Sequence, residues 1–276
     1  MLAYLGPAGT YSGQAAAEYI KTQRLKIPAQ PLPTISAVMD GVNDGAYRYG
    51  LVPIENMLEG SVGATLDMLA HKEIKLFIIA EIDLAIQHKL MVLPGVKNKD
   101  IRRILSHPQA LAQCQKFLHK YFPAAEILPV GSTAEAGWLL KKEKLTQAAA
   151  IGSPESAREY GLRILAEDIA DHKGNLTRFA VLAKELRYPD AKAVTSFVFS
   201  CRKDKPGGLY EILGFLAKDK INMTKIASRP SKAVIGDYIF FIDIDGTPAN
   251  KNVRQALAEI EQHSDFYKLL GVYRRR

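Results

Sequence analysis

Through its first 185 residues the chain alternates short apolar runs with stretches whose apolar positions recur every three or four residues. "LAYLG" at the start leads into a helix from about Ser12 to Lys21, and "KIPAQPL" into one from Ser36 to Asp44. "YGLVPIE" precedes a helix that begins after Ser61. "RRILS" comes before a helix from Pro108 to Lys120, "AEILPV" before one from Thr133 to Lys142, and "QAAAIG" before one near Glu155. Strands that alternate with helices predict an α/β domain with mainly parallel sheets. One long passage, "KLFIIAEIDLAIQHKLMVL", reads as mostly extended and breaks this rhythm midway. It is the expected crossover between two α/β lobes, one of residues 1–78 plus 165–185 and the other of 79–164, with "LTRFAVLA" returning to the first.

Residues 186–193, "LRYPDAKA", read as a linker, and the rhythm then changes. "VTSFVFSCR" is a strand, and "GGLYEILGFLAKDK" is a helix with Leu209, Ile212, Leu213 and Leu216 on one face. "NMTKIASRP" and "DYIFFIDIDG" are strands, "NKNVRQALAEIEQHS" is a helix, and "FYKLLGVYRR" is a last strand. This β-α-β-β-α-β order over residues 194–276 predicts a second, ferredoxin-like domain.

Composition changes this picture little. The formal charge of +8 is spread along the chain, and the one cluster is Arg274, Arg275 and Arg276. No basic stretch is interleaved with aromatics, so nucleic acid is not an expected partner, and the excess suits a small anionic substrate. Cys114 and Cys201 lie far apart in apolar surroundings, which fits a reducing cytoplasm better than a disulfide framework. The start has no basic region ahead of an apolar one. "LFIIAEIDLAI" carries Glu81 and Asp83 and is too short to span a membrane, so no membrane association is expected. The six histidines include no pair four apart and no CxxC occurs, so no metal is expected. The glycines of "GPAGTYSG" match neither dinucleotide nor P-loop spacing, and no cofactor is expected.

The chemistry is expected at the ends of strands. Several helices start with small or hydroxyl residues: Gly9, Thr10 and Ser12; Gly60 and Ser61; Ser106 before Pro108; Ser132 and Thr133. Each taken alone reads as a cap, Ser132 with Glu135 being a capping box. Together, at the same end of successive strands, they weigh toward anion-binding helix N-termini as the alternative to plain caps. "VPIENMLEGSVG" adds Glu55 and Asn56 at a strand end, Glu55 being a surface carboxylate, a proton donor or the partner of Arg178. "SHPQALAQC" adds His107, either structural or functional, and Gln109. In "GNLTRFAVLAKE", Thr177 and Arg178 stand where a polar turn enters an apolar run. Arginine at such a place needs a partner: a protein carboxylate fixing the strand, or a ligand, which is the favoured reading.

With these stretches in order, the chain resembles the prephenate dehydratases over essentially its whole length. The resemblance rests on "GPAGTYS", "PIEN" with "GSV", "HPQAL", Ser132 with Thr133, and "NLTRF"; "DKPGGLYEIL" and "KIASRP" resemble an ACT regulatory module. It implies a two-lobed fold like that of periplasmic binding proteins, with the site in the cleft, for residues 1–185, followed by an ACT domain. It also implies conversion of prephenate to phenylpyruvate with loss of carbon dioxide and water, without a cofactor. Thr177 is then essential, Arg178 and Glu55 catalytic, and Thr10, Asn56, Ser61, His107, Gln109, Ser132, Thr133, Asn175 and Phe179 substrate-binding. Arg178 is expected to grip the pyruvyl carboxylate, because pairing with the ring carboxylate would stabilise the group that must leave. The ACT resemblance implies a homodimer or homotetramer with a phenylalanine effector near Asp204, Gly207, Gly208, Leu209, Ser228, Arg229 and Pro230. Three positions depart from the family pattern: Met57 for serine, Gly208 for alanine, and Ala227 for glutamate. The last predicts weaker phenylalanine binding or another effector. Arogenate as substrate, or an inert amino-acid sensor, are the alternatives.

Overall fold

The computed structural model describes residues 1–189, 192–201, 206–231 and 237–274. The chain divides into two compact units. The first comprises Met1–Val38, Glu55–Gly60 and Asp83–Phe179, and the second Met39–Ile54, Ser61–Ile82 and Ala180–Arg276.

The first unit opens with two parallel strands, Leu2–Leu5 and Ala29–Leu32, joined through helix Tyr11–Thr22. It then builds a five-stranded sheet in the order Arg163–Ala166, Lys89–Val92, Ala148–Gly152, Arg103–Ser106, Glu126–Pro129. Lys89–Val92 is antiparallel to both its neighbours, whereas the pairs on either side of Arg103–Ser106 are parallel. Parallel pairing needs a crossover connection, and Lys89–Val92 has none, since it follows directly from strand Phe77–Ala85. Both faces of this sheet are covered. Leu90, Val92, Ile104, Ala149 and Ile151 pack with Leu111, Leu118 and Phe122 on one side. Met91, Leu105, Ala148 and Ala150 pack with Ala136, Leu140 and Leu162 on the other. The period of two along each strand assigns every side chain to a face, and burial on both faces makes "AAAIG" apolar throughout.

The helix expected from Pro108 to Lys120 is two helices, Pro108–Ala112 and Gln115–Tyr121. The break is fixed from outside the segment. Asp171 N–H donates to the Gln113 carbonyl at 2.7 Å, and the Asp171 carboxylate accepts from Lys116 N–H at 3.1 Å. Helix Thr133–Lys142 has the bounds its pattern predicts.

The second unit carries the β-α-β-β-α-β order: Ala193–Cys201, helix Gly208–Lys218, Met223–Pro230, Tyr238–Asp245, helix Lys251–Gln262, Ser264–Arg274. The strands lie in the order Met223–Pro230, Tyr238–Asp245, Ala193–Cys201, Ser264–Arg274, and both helices pack on one face against Phe197, Phe199, Ile242 and Ile244. The sheet does not stop there. Ser264–Arg274 pairs with Phe77–Ala85 through Gly271 and Ile78, and the order continues into Leu176–Ala183 and Tyr49–Asn56. A Cβ on Gly271 would stand 2.2 Å from the Ile78 carbonyl oxygen, so only glycine permits this junction. Beside it lies a buried polar chain. Ser196 donates to Asp243 at 2.5 Å and contacts the Tyr273 hydroxyl at 2.7 Å, and Tyr273 donates to Glu81 at 2.9 Å. Among the described residues no helix is long and apolar enough to cross a membrane.

Candidate functional site

Thr177 lies inside the regular strand Leu176–Ala183 rather than in a turn, and it is buried. Asn56, at the end of strand Tyr49–Asn56, donates from Nδ2 to Thr177 Oγ1 at 2.8 Å. The Asn56 side chain is itself held, because its Oδ1 accepts from the N–H groups of Leu58 and Glu59 at 3.0 and 3.1 Å. A hydroxyl that accepts one bond keeps its own proton to donate. The pair therefore presents Thr177 as an oriented donor.

Asn175, one pleat repeat before Thr177, leads into a buried polar chain. Its Nδ2 donates to Gln113 Oε1 at 3.1 Å, the same oxygen that His88 Nε2 meets at 3.1 Å. His88 Nδ1 lies 3.2 Å from the Tyr11 hydroxyl, which donates to the Gln87 carbonyl at 2.9 Å. Asn175 Oδ1 is buried with no hydrogen-bond partner. Burial pulls His88 below its ordinary 6.5, opposed by the bond to Gln113, and pushes the Tyr11 phenol well up. Tyr11, His88 and Gln113 are absent from the sequence-based set. Gln113 could have been noticed only through the helix break beside it, which the local pattern does not contain.

Arg178 is one residue on from Thr177, so the pleat sends it to the opposite face of the sheet. There its Nε and Nη2 donate to the two carboxylate oxygens of Asp83 at 2.7 and 2.8 Å. Asp83 thus occupies the Nε–Nη2 edge, which is the first of the two expected partners, a protein carboxylate fixing the strand. Glu55 directly precedes Asn56 in strand Tyr49–Asn56. Phe179 is 2 % exposed and belongs to the core. An aromatic side chain in the strand interior finds its apolar surroundings within the protein.

The expected helix starts are well-formed caps. Thr10 Oγ1 accepts from Gly13 N–H at 3.3 Å, and the loop before it is pinned by Ser153 donating to the Gly9 carbonyl and Tyr160 to the Ala8 carbonyl. Ser132 Oγ accepts from Glu135 N–H at 2.9 Å, with Thr133 as the first helical residue. His107 caps the helix Pro108–Ala112, its Nδ1 accepting from Gln109 N–H at 3.3 Å, which favours its structural reading. Ser61 belongs to the second unit, in the two-residue strand Gly60–Ser61 ahead of helix Gly63–Ala70.

Of the expected effector residues, Asp204 lies outside the described residues. Gly207, in the left-handed region at φ 88°, caps the helix that Gly208 and Leu209 begin. Ser228, Arg229 and Pro230 end strand Met223–Pro230. Arg229 donates from Nε and Nη2 to the Asp67 carboxylate, both at 3.0 Å. An effector therefore finds this guanidinium occupied.

Two family models match the chain, "Prephenate dehydratase" over residues 2–187 and "ACT domain" over residues 195–262. The prephenate dehydratase of Methanocaldococcus jannaschii is 39 % identical over 273 residues, which cover 98 % of this chain and 96 % of that one. The bifunctional chorismate mutase/prephenate dehydratase of Aquifex aeolicus is also 39 % identical over 273 residues, 99 % of this chain and 73 % of its own. The crystal structure of the Arthrobacter aurescens prephenate dehydratase in complex with L-Phe superposes with a TM-score of 0.91 at 35 % identity, covering 99 % of this chain and 90 % of the other.

Proposed function

Since the chain belongs to the prephenate dehydratase family and carries an ACT domain, we propose how its residues divide the work of converting prephenate to phenylpyruvate, a carbon–oxygen lyase reaction. The bond between the ring and its carboxylate breaks and carbon dioxide leaves. The electron pair enters the ring, which becomes aromatic as the hydroxyl opposite departs and takes up a proton, supplied ultimately by Glu55 or His107, to form water. Aromatisation supplies the driving force, so the protein has to orient the dianion and ease the departure of the hydroxyl.

Thr177 donates its hydrogen bond to the departing oxygen. The observation that supports this reading is the Asn56–Thr177 bond, which makes the threonine oxygen an acceptor on one side and leaves its proton to donate. A threonine hydroxyl is a weak acid, so it polarises the leaving group rather than protonating it outright. Asn175 is two residues away and held by Gln113. It lines the same side of the strand as a substrate-orienting amide. The helix N-termini at Thr10 and Thr133 meet the negative charge. Arg178 acts from the opposite face as a clasp, through Asp83, that keeps Thr177 in register. The ACT domain takes an amino-acid effector, proposed to be phenylalanine as in the complex of the Arthrobacter aurescens relative. A homodimer or homotetramer and a cytoplasmic setting complete the reading, the latter supported by the free thiols of Cys114 and Cys201.

The test is phenylpyruvate release from prephenate, run beside arogenate as the rival substrate and with Thr177→Ala as control. Turnover of prephenate that falls by about 100-fold or more in the variant, as loss of one oriented donor implies, supports the assignment. A folded wild-type protein that turns over arogenate alone shifts the substrate, and a variant as active as wild type removes Thr177 from the chemistry.

A further inference from the structure

An amide oxygen can only accept hydrogen bonds, so its donors set the direction of the buried chain behind Asn175. Gln113 Oε1 meets Asn175 Nδ2 and His88 Nε2, both at 3.1 Å. His88 therefore carries hydrogen on Nε2, and the two donors together fill the lone pairs of that oxygen. Turning the Gln113 amide over would set its NH2 group against the His88 N–H. Turning the Asn175 amide over would set its oxygen against the Gln113 oxygen. Neither amide flips while His88 donates from Nε2. The imidazole is held in turn, since its Nδ1 lies 3.2 Å from the Tyr11 hydroxyl and the two rings meet edge to face with centroids 5.9 Å apart. What this lock leaves over is Asn175 Oδ1, buried and with no hydrogen-bond partner among the described residues. A buried acceptor in that state costs free energy until a donor arrives. The Asn175 carbonyl accepts from Ile86 N–H at 2.9 Å, which continues the extended pairing ahead of Leu176 and keeps Asn175 on the same side as Thr177.

We propose that His88 and Gln113 are positioning residues that turn Asn175 Oδ1 toward the substrate, where it accepts the hydrogen of the ring hydroxyl to whose oxygen Thr177 donates. The proposal rests on the reading of the reaction given above. Prephenate as a dianion carries one hydrogen-bond donor, that hydroxyl, so the open acceptor selects it and repels the two carboxylates. Thr177 and Asn175 then hold one group from both sides, as donor and as acceptor. As the hydroxyl takes up a proton on its way to water it becomes a stronger donor. Its bond to Asn175 is thus worth more in the transition state than in the bound substrate, and losing it falls on kcat.

Prephenate turnover by the full-length protein tests this with Asn175→Ala, Gln113→Leu, their double variant and Gln113→Glu. Each of the first two should lower kcat by about tenfold, as loss of one such bond implies, with KM within about twofold of wild type. The double variant should be no slower than either single one, since both act through one oxygen. Gln113→Glu keeps an acceptor oxygen in place and should recover kcat to within about threefold of wild type. Losses that multiply in the double variant, or Gln113→Glu as slow as Gln113→Leu, overturn the proposal. NMR of the labelled nitrogens reads the lock without turnover. The His88 ring should carry hydrogen on Nε2, and the Asn175 side-chain amide should exchange slowly in wild type and Gln113→Glu and fast in Gln113→Leu. Hydrogen on Nδ1 alone would turn both amides over and refute the arrangement. The expected spectra in a wild-type protein that leaves prephenate untouched would sustain the positioning of Asn175 and remove the proposed reaction. Turnover with an Asn175 amide that exchanges equally fast in every variant would do the reverse.

Discussion

At Arg178 the Nε and Nη2 nitrogens hold Asp83. The side chains of the pair are 24 and 31 % exposed, so solvent screens the attraction and the pair contributes about 1 kcal/mol or less. Arg178→Lys and Asp83→Asn should each lower stability in denaturant titrations by amounts of that size, and the double variant should cost less than the sum. In both, KM for prephenate should stay within about twofold of wild type, since uniform binding is untouched. A large KM rise confined to Arg178→Lys would restore the substrate grip. In the sequence, Thr177 stands out as a hydroxyl entering an apolar run, and its proposed role comes from the family resemblance. Its separation from Arg178 was not legible, since "NLTRF" reads as a turn until its neighbours on both sides are known. Only pairing reveals the pleat.

Among the elements, the kink between Pro108–Ala112 and Gln115–Tyr121 matters most, because it delivers Gln113 to both Asn175 and His88. Periodicity predicts a continuous helix there, since the groups that interrupt it come from residues about 60 positions later in the chain and leave no local trace. Helix Thr133–Lys142, by contrast, is bounded by its own capping serine and was fully legible. The burial that pulls His88 below 6.5 has a consequence for stability. In the unfolded chain this histidine takes up a proton near 6.5, while the folded chain resists it to lower pH. The folded state is therefore favoured at neutral pH and loses that advantage as pH falls from about 6.5 toward the folded value. Melting temperatures measured from pH 7 to pH 5 should fall less in His88→Gln than in wild type. Parallel declines in the two proteins would show that the imidazole does not drive the loss.

On the scale of the whole chain, the change of rhythm after residue 193 disclosed the β-α-β-β-α-β order. The continuation of that sheet through Gly271 into Ile78 was not foreseeable, because it joins residues 193 positions apart through one glycine. The junction bears on any attempt to isolate residues 1–187 by trimming. A chain cut at 187 would strip Ser264–Arg274 from Phe77–Ala85, removing the Gly271–Ile78 pairing and uncovering the apolar "FIIAEIDLA" at a sheet edge. It would also expose Glu81 without Tyr273. Unpaired apolar edges recruit other chains. The trimmed protein should elute from a sizing column as heterogeneous aggregate, whereas a stable, dispersed product would show that the junction is dispensable. The C-terminal domain thus also serves as the cover of a strand that the preceding family-model match ends without, so removing it alters the catalytic chain's own sheet.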